Sequence, residues 1–223
     1  VVAGVRLSVC VPTVGHRIGL LTRLLWTIEE QSAGWLGEFE VLLAPGRAPM
    51  GTKLDACFAA ARGDYVVAVD DDDWLSAAYM AEVLPRLAGS PVDFLGYRIL
   101  VTEAGRYQMG VEHRGDVRGW PGAVRGVSPK CPVRVDLARR VPFPNRYTGD
   151  RDWSATVGEL VVTHDFVDRY LYSYDHWADE MLGTEPDQFP GAWVDTDRVG
   201  RWPLSGSMSP WVVTVPVAVG KSS

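Results

Sequence analysis

The sequence predicts an α/β protein: Rossmann-like βαβ units forming a central, mostly parallel sheet, with a short antiparallel addition and an irregular C-terminal extension. Three observations carry this. The first third of the chain alternates apolar strand-like runs with single amphipathic helices, the pattern of parallel strands joined by crossovers. Two adjacent apolar runs follow with only a turn between them, the pattern of an antiparallel pair. Beyond Trp177 proline, glycine and aromatic residues dominate and no periodicity persists.

The elements follow in order. "VRLSVCVP" (5–12) is a buried strand, and "IGLLTRLLWTIEEQ" (18–31) carries apolar residues at helical spacing. "EFEVLLA" (38–44) is a second strand and "TKLDACFAAARG" (52–63) a helix closed by Gly63. "DYVVAV" (64–69) is a third strand. "SAAYMAEVLPRLA" (76–88) is a helix with Ser76 as N-cap, ended or kinked near Pro85. "VDFLGYRILVTEAGRYQMGVEH" (92–113) reads as two strands with a turn at 103–105. "RGDVRGWPGAVRG" (114–126) is a loop too long to be idle in a compact domain. "VRVDLARRV" (133–141) and "DRDWSATVGE" (150–159) are short helices, and "LVVTHDFVDRYLYSYDH" (160–176) is one or two strands.

With 223 residues, 47% of them hydrophobic, the chain suits one sizeable α/β domain. No apolar run approaches the roughly 18 to 20 residues of a membrane span. Cys10, Cys57 and Cys131 lack metal-type spacing, and Cys10 and Cys57 read as core filler, which agrees with a cytoplasmic protein. A net charge of −6 argues against a large nucleic-acid footprint. One basic segment stands out: seven Lys/Arg, from Arg114 to Arg140, against only Asp116 and Asp136. It is either a solvated face or a surface that meets an anion.

The densest charge is Asp70–Asp73, directly after the third strand and before Trp74. Neighbouring carboxylates about 5 Å apart repel by roughly 3 kcal/mol at an effective dielectric near 20. On an open surface the run is a solvated acidic turn, and Asp73 can serve as a helix N-cap. At the C-terminal end of a buried parallel strand, where α/β sheets bind ligands, the same run suits a hard divalent cation.

Taken in order, "LSVCVPTVGHRIGLLTRLLWTIEEQ", "MGTKLDACFAAARGDYVVAVDDDDWLS" and "TGDRDWS" resemble the family two glycosyltransferases over roughly residues 5–153. That resemblance implies a GT-A fold and an inverting transfer of a sugar from a nucleotide-diphosphate donor, a UDP-sugar first, to an acceptor hydroxyl. It divides the single domain into a donor-binding half (1–100), an acceptor and catalytic half (101–175) and an extension (176–223). Asp70 and Asp72 take the places of the family's D-x-D motif, with Asp72 a ligand of Mn²⁺ or Mg²⁺ and Asp70 a second ligand or a donor contact. Asp71 falls at the middle position. Pro12, Thr13 and Arg17 match the turn lining the nucleotide pocket, although Arg17 read by itself is equally a solvated residue before a helix. Lys53 and Asp55 stand where relatives carry a polar triplet, and Lys53 can face the phosphates. Asp150 matches the general base, with Asp152 the runner-up; without the resemblance either one reads as a helix cap. His176, or His164, is placed to complete the metal site. Trp74, Trp153 and Trp177 are candidates for a sugar-stacking wall.

Two departures accompany the match. The second strand ends in "LLAPGRAP" rather than in the acids that bind the base, and Gly149 stands where relatives carry Glu. Both leave room for a catalytically silent nucleotide- or sugar-binding module on the same scaffold. A nucleotidyltransferase is a further rival, disfavoured because "PTVGHRIG" is poor in phosphate-loop residues, and a glycoside hydrolase fits less well still. Acceptors range from saccharides to a hydroxylated base in DNA, the latter motivated by the basic segment alone.

Overall fold

The computed structural model describes residues 4–89, 91–103, 106–120, 122–175 and 213–215. The expected alternation is present. β1 (Leu7–Pro12), α1 (Ile18–Glu30), β2 (Phe39–Ala44), α2 (Met50–Ala60) and β3 (Tyr65–Ala68) form two crossovers, with β1 paired in parallel to both β2 and β3. All residues of these three strands are buried, which their near-continuous apolar sequence requires of strands covered on both faces. Two polar residues enter this core as a satisfied group: Ser8 Oγ donates to Glu40 Oε1 at 2.7 Å, and the Arg62 amide and Nε donate to the same carboxylate at 2.6 and 2.8 Å.

A two-residue strand, β4 (Trp74–Leu75), follows the acidic run and leads into α3 (Tyr79–Gly89). α3 runs through Pro85 instead of stopping there. Its buried face of Tyr79, Met80, Val83, Leu84 and Leu87 outweighs the roughly 3 kcal/mol that an interior proline costs. β5 (Phe94–Glu103) and β6 (Arg106–His113) form the expected antiparallel pair.

The second half of the sheet is more mixed than the sequence suggests. β7 (Val124–Arg125) pairs in parallel with β6, and β8 (Val133–Arg134) sits antiparallel between β3 and β5 just before α4 (Val135–Ala138). After α5 (Gly149–Leu160), a single strand β9 (His164–Asp175) runs parallel to β5 and antiparallel to β4. β10 (Val213–Val215) pairs antiparallel with β2. The main path is β10-β2-β1-β3-β8-β5-β6-β7, with β9 branching from β5 to β4. That branch brings the end of β9 beside the acidic run. The three cysteines are free and buried, as core filler should be. Among the described residues no helix is long and apolar enough to cross a membrane.

The segment 114–126 is folded onto β6 and onto itself. Glu112 N donates to Ala123 O at 2.7 Å and Arg114 N to Arg125 O at 2.8 Å, while Gly126 N reaches Gly119 O across a turn where Gly119 has φ +67°. His113 lies buried beneath it, Nδ1 2.8 Å from Gly126 O, its ring edge-on to Trp120. The carbonyl contact makes Nδ1 the protonated nitrogen of a neutral ring, and burial pulls its pKa from 6.5 to about 4. Between these values the unfolded chain takes up a proton that the folded one excludes. Stability is therefore expected to fall by about 3 kcal/mol as pH drops from 6.5 towards 4. Urea denaturation of wild type and His113→Gln across that range checks this: the variant should lack this component of the slope, and identical slopes would refute it.

Candidate active site

Parallel strands leave their C-terminal ends on one edge, and the loops after β1 and β3 meet there. Thr13 N donates to Ala44 O at 3.1 Å and Val69 N to Cys10 O at 2.9 Å, extending the ladder to the point where the carboxylates begin. The chain then turns sharply, Asp73 N reaching back to Asp70 O at 3.2 Å.

The turn separates the four carboxylates into two pairs, each with its own cation. Arg17, from the loop after β1, donates through NH1 to Asp71 Oδ1 at 3.1 Å and to Asp72 Oδ2 at 2.7 Å. Lys130, from the loop before β8, donates through Nζ to Asp70 Oδ2 at 2.5 Å and to Asp73 Oδ2 at 2.7 Å. The Tyr172 hydroxyl, near the end of β9, donates to Asp73 Oδ2 and accepts from Lys130 Nζ at 3.0 Å and Asp70 N at 3.2 Å. Arg23 donates to the carbonyls of Asp72 and Asp73 at 3.0 and 2.9 Å, its guanidinium 3.8 Å above the Trp74 ring.

Asp71 and Asp73 are buried, while the Asp70 and Asp72 side chains keep 26% and 20% exposure. The expected D-x-D pair is thus the more exposed pair of the four carboxylates. Its negative potential is only partly cancelled: burial and then Asp70 push the Asp72 carboxyl above its usual range despite Arg17. Burial raises Asp73 to about 7, against the pull of Lys130. Asp70 and Asp73 together outweigh burial and keep the Lys130 ammonium charged.

Among the described residues no three carboxylate, histidine or cysteine side chains converge on one point. Mg²⁺-type sites commonly use one or two carboxylates and complete their shell with water and substrate phosphates. Two part-exposed carboxylates, with the buried Asp71 Oδ2 lacking any hydrogen-bond partner behind them, fit such an ion. Asp70 and Asp72 are the residues that would hold it. His176 lies outside the described residues. His164 begins β9, at the opposite end of that strand from Tyr172, and so cannot complete a site at the acidic turn.

The nucleotide-side candidates divide. Pro12 ends β1, and Thr13 is buried with its hydroxyl unpartnered. Lys53, buried on α2, donates from Nζ to Thr13 O at 2.7 Å, and burial draws its pKa down while Asp71 opposes the shift. Asp55 accepts from Phe143 N at 2.9 Å, so its carboxylate fastens the segment before α5 and does not join Lys53.

That segment sets the geometry of α5. Asn145 exchanges hydrogen bonds with Thr52, Oδ1 accepting from its amide at 2.9 Å and Nδ2 donating to its hydroxyl at 3.1 Å. Arg146 Nε donates to Asp152 Oδ2 at 2.6 Å, and Thr148 Oγ1 donates to the same oxygen at 2.9 Å. These bonds hold the Asp152 pKa down, so the runner-up base is tied to the helix start. Asp150 differs. Its carboxylate accepts the neighbouring Arg151 amide at 2.8 Å, and burial raises its pKa, with that amide and Lys130 opposing and Asp70 reinforcing. Arg125, from the segment 114–126, also feels Asp150. Asp150 therefore feels both Lys130 and Asp70 of the acidic cluster.

Several sequence expectations change here. Trp74 and Trp153 are buried and cannot stack on a sugar, and Trp177 lies outside the described residues. The basic segment does not form one anion-facing surface: Lys130 is in the acidic cluster, Arg134 pairs with Asp136 and Asp93, Arg114 pairs with Glu112, and Arg139 donates to the carbonyls of Phe58, Ala59 and Ala61. Lys130 itself was hidden in that run, since nothing local in "SPKCP" distinguishes it.

The glycine at the expected Glu position has a steric cause. A Cβ at Gly149 would stand 2.2 Å from Pro144 O. Gly149→Ala is expected to cost about 1–3 kcal/mol by overpacking, read by urea denaturation; an unchanged midpoint would contradict the crowding.

No protein-family model and no curated protein sequence matches the chain. Solved structures do. S. aureus TarS 1-349 aligns at a TM-score of 0.55 and 15% identity, over 76% of this chain and 60% of that one. TarS 1-349 in complex with UDP gives 0.54 and 16% over 76% and 60%, and its complex with UDP-GlcNAc 0.53 and 15% over 76% and 58%. The chain spans about three fifths of the length of these TarS structures. The parallel core β2-β1-β3 with its mixed extension is thus the GT-A fold, shared with S. aureus TarS.

Proposed function

We propose that the chain is a metal-dependent, inverting glycosyltransferase that moves a sugar from a nucleotide-diphosphate donor to an acceptor hydroxyl by single displacement. The observation that carries this reading is Asp150: a half-buried carboxylate with no ion pair among the described residues, raised above its usual pKa by burial and coupled to Asp70 of the acidic turn. UDP is the first nucleotide to test, because TarS, with the same fold, has structures with UDP and UDP-GlcNAc.

In this reading Thr13, Lys53 and Arg17 receive the nucleoside and phosphates, and Asp70 and Asp72 hold the divalent ion. When bound, that ion neutralises charge developing on the departing diphosphate. Arg17 keeps Asp71 and Asp72 together at the mouth. Asp150 accepts the proton of the acceptor hydroxyl, and its raised pKa improves it as a base near neutral pH. Asp152, held ionised by Arg146, keeps the start of α5 in place. The acceptor side is supplied by Tyr147. Its neighbours Asn145, Arg146 and Thr148 are fastened by the bonds described above, yet Tyr147 is 96% exposed. A ring held out on a fixed segment suits the apolar face of a sugar.

Asp150→Asn is expected to lower transfer by roughly 10²- to 10⁴-fold with donor binding intact, in an assay pairing UDP-sugars with a panel of saccharide acceptors. Transfer that survives in this variant would remove Asp150 from the role. Donor binding without transfer or donor hydrolysis in the wild type would favour the silent module, whose support is the ion-pairing of all four carboxylates. Tyr147→Ala is expected to raise the acceptor KM several-fold and leave the donor KM unchanged. Equal effects on both would place Tyr147 elsewhere.

A further inference from the structure

Lys130 reaches both members of the quartet that Arg17 does not. Its backbone is fixed: the Tyr97 hydroxyl donates to Lys130 O, and Lys130 N donates to Ser128 Oγ at 3.3 Å. Its head lies 4.9 Å from the ring centres of both Tyr172 and Tyr174, which confines the ammonium between aromatic faces and carboxylates. The Lys130 side chain is nevertheless 17% exposed and that of Asp70 26%, so solvent reaches their contact.

The two acidic partners of Lys130 are not equivalent. Asp73 is buried and has the Tyr172 hydroxyl as a second donor. For the part-exposed Asp70, Lys130 is the only side-chain partner of the carboxylate among the described residues. A divalent ion arriving at Asp70 and Asp72 meets this ammonium at one of its own ligands, and the two cations repel.

We propose that Lys130 is a positioning residue that competes with the divalent ion for Asp70, so that the ion alone binds weakly and is retained when a diphosphate adds its own oxygens. This rests on the donor-site reading above. By linkage, whatever the diphosphate adds to the ion's affinity, the ion adds equally to the diphosphate's. Lys130 thereby favours loading of ion and donor together over occupancy by the ion alone.

The test is calorimetric titration of the full chain with Mn²⁺, without nucleotide and with saturating UDP. Removing Lys130 alone would strand buried Asp73, so the decisive comparison is Asp73→Asn against Asp73→Asn with Lys130→Gln. The added Lys130→Gln change is expected to tighten Mn²⁺ alone at least tenfold and to shrink the enhancement by UDP. Unchanged or weaker binding of Mn²⁺ alone would overturn the competition. Should the double variant not fold, Lys130→Arg, which keeps the charge, is expected to bind Mn²⁺ no tighter than wild type, and tightening would overturn the proposal. Wild type that binds Mn²⁺ with UDP while the neutral variant shows no gain defeats the Lys130 inference alone. Wild type that binds neither defeats the donor-site reading with it.

Discussion

Four carboxylates in sequence at the end of a buried strand are tolerable only if counter-charge reaches them from elsewhere, and that requirement organises the molecule. The tight turn sends Asp70 and Asp73 towards Lys130, and Asp71 and Asp72 towards Arg17. Arg17 comes from the loop after β1, and Lys130 from a loop that closes only because β8 lies between β3 and β5. Tyr172 comes from β9, which reaches the turn by pairing with β4. Strand order, loop closure and local electrostatics therefore act on the same few atoms. Removing one counter-charge leaves a carboxylate in low dielectric, where an unpaired ion costs several kcal/mol.

The parallel core was legible because its signals are local. β1, β2 and β3 read as apolar runs, and α1 and α2 as helical periodicity with a glycine after the second. The C-terminal position of Asp70–Asp73 followed from that alternation alone. The two-residue strands β4, β7 and β8 were not legible, since two residues carry no period and their pairing is fixed by distant partners. Of the two outcomes expected at Pro85, a kink or an end, the end does not occur, for a related reason: burial of one face of α3 is a tertiary term that propensity does not contain.

The site was legible in part. The resemblance assigned Asp70, Asp72 and Asp150 to one site, and Asp150 is electrostatically coupled to Asp70. It did not reveal that Asp71 and Asp73 are buried, that Asp55 and Asp152 are engaged in fastening the segment around Asn145, or that Lys130 belongs to the acidic cluster. All but the short-range bonds of Asp152 depend on contacts across tens of residues. Charge counting failed for the same reason: cations of the basic segment donate to carboxylates and carbonyls, several of them distant in sequence, so a run of like charge in sequence is no patch in space. Gly149, which read as a defect in the motif, follows from the nearness of the Pro144 carbonyl and leaves Asp150 in place beside it.

On the proposed function, the acidic turn and the α5 N-terminus form one mouth that takes up a divalent ion with a nucleotide diphosphate. Paramagnetic broadening of backbone amide resonances by Mn²⁺ in the presence of UDP tests it most directly. Broadening is expected to centre on Asp70–Asp73, to extend to Thr13, Arg17 and Asp150, and to spare the start of β9 at His164. Broadening centred elsewhere, or reaching the acidic turn while leaving Asp150 untouched, would contradict the account.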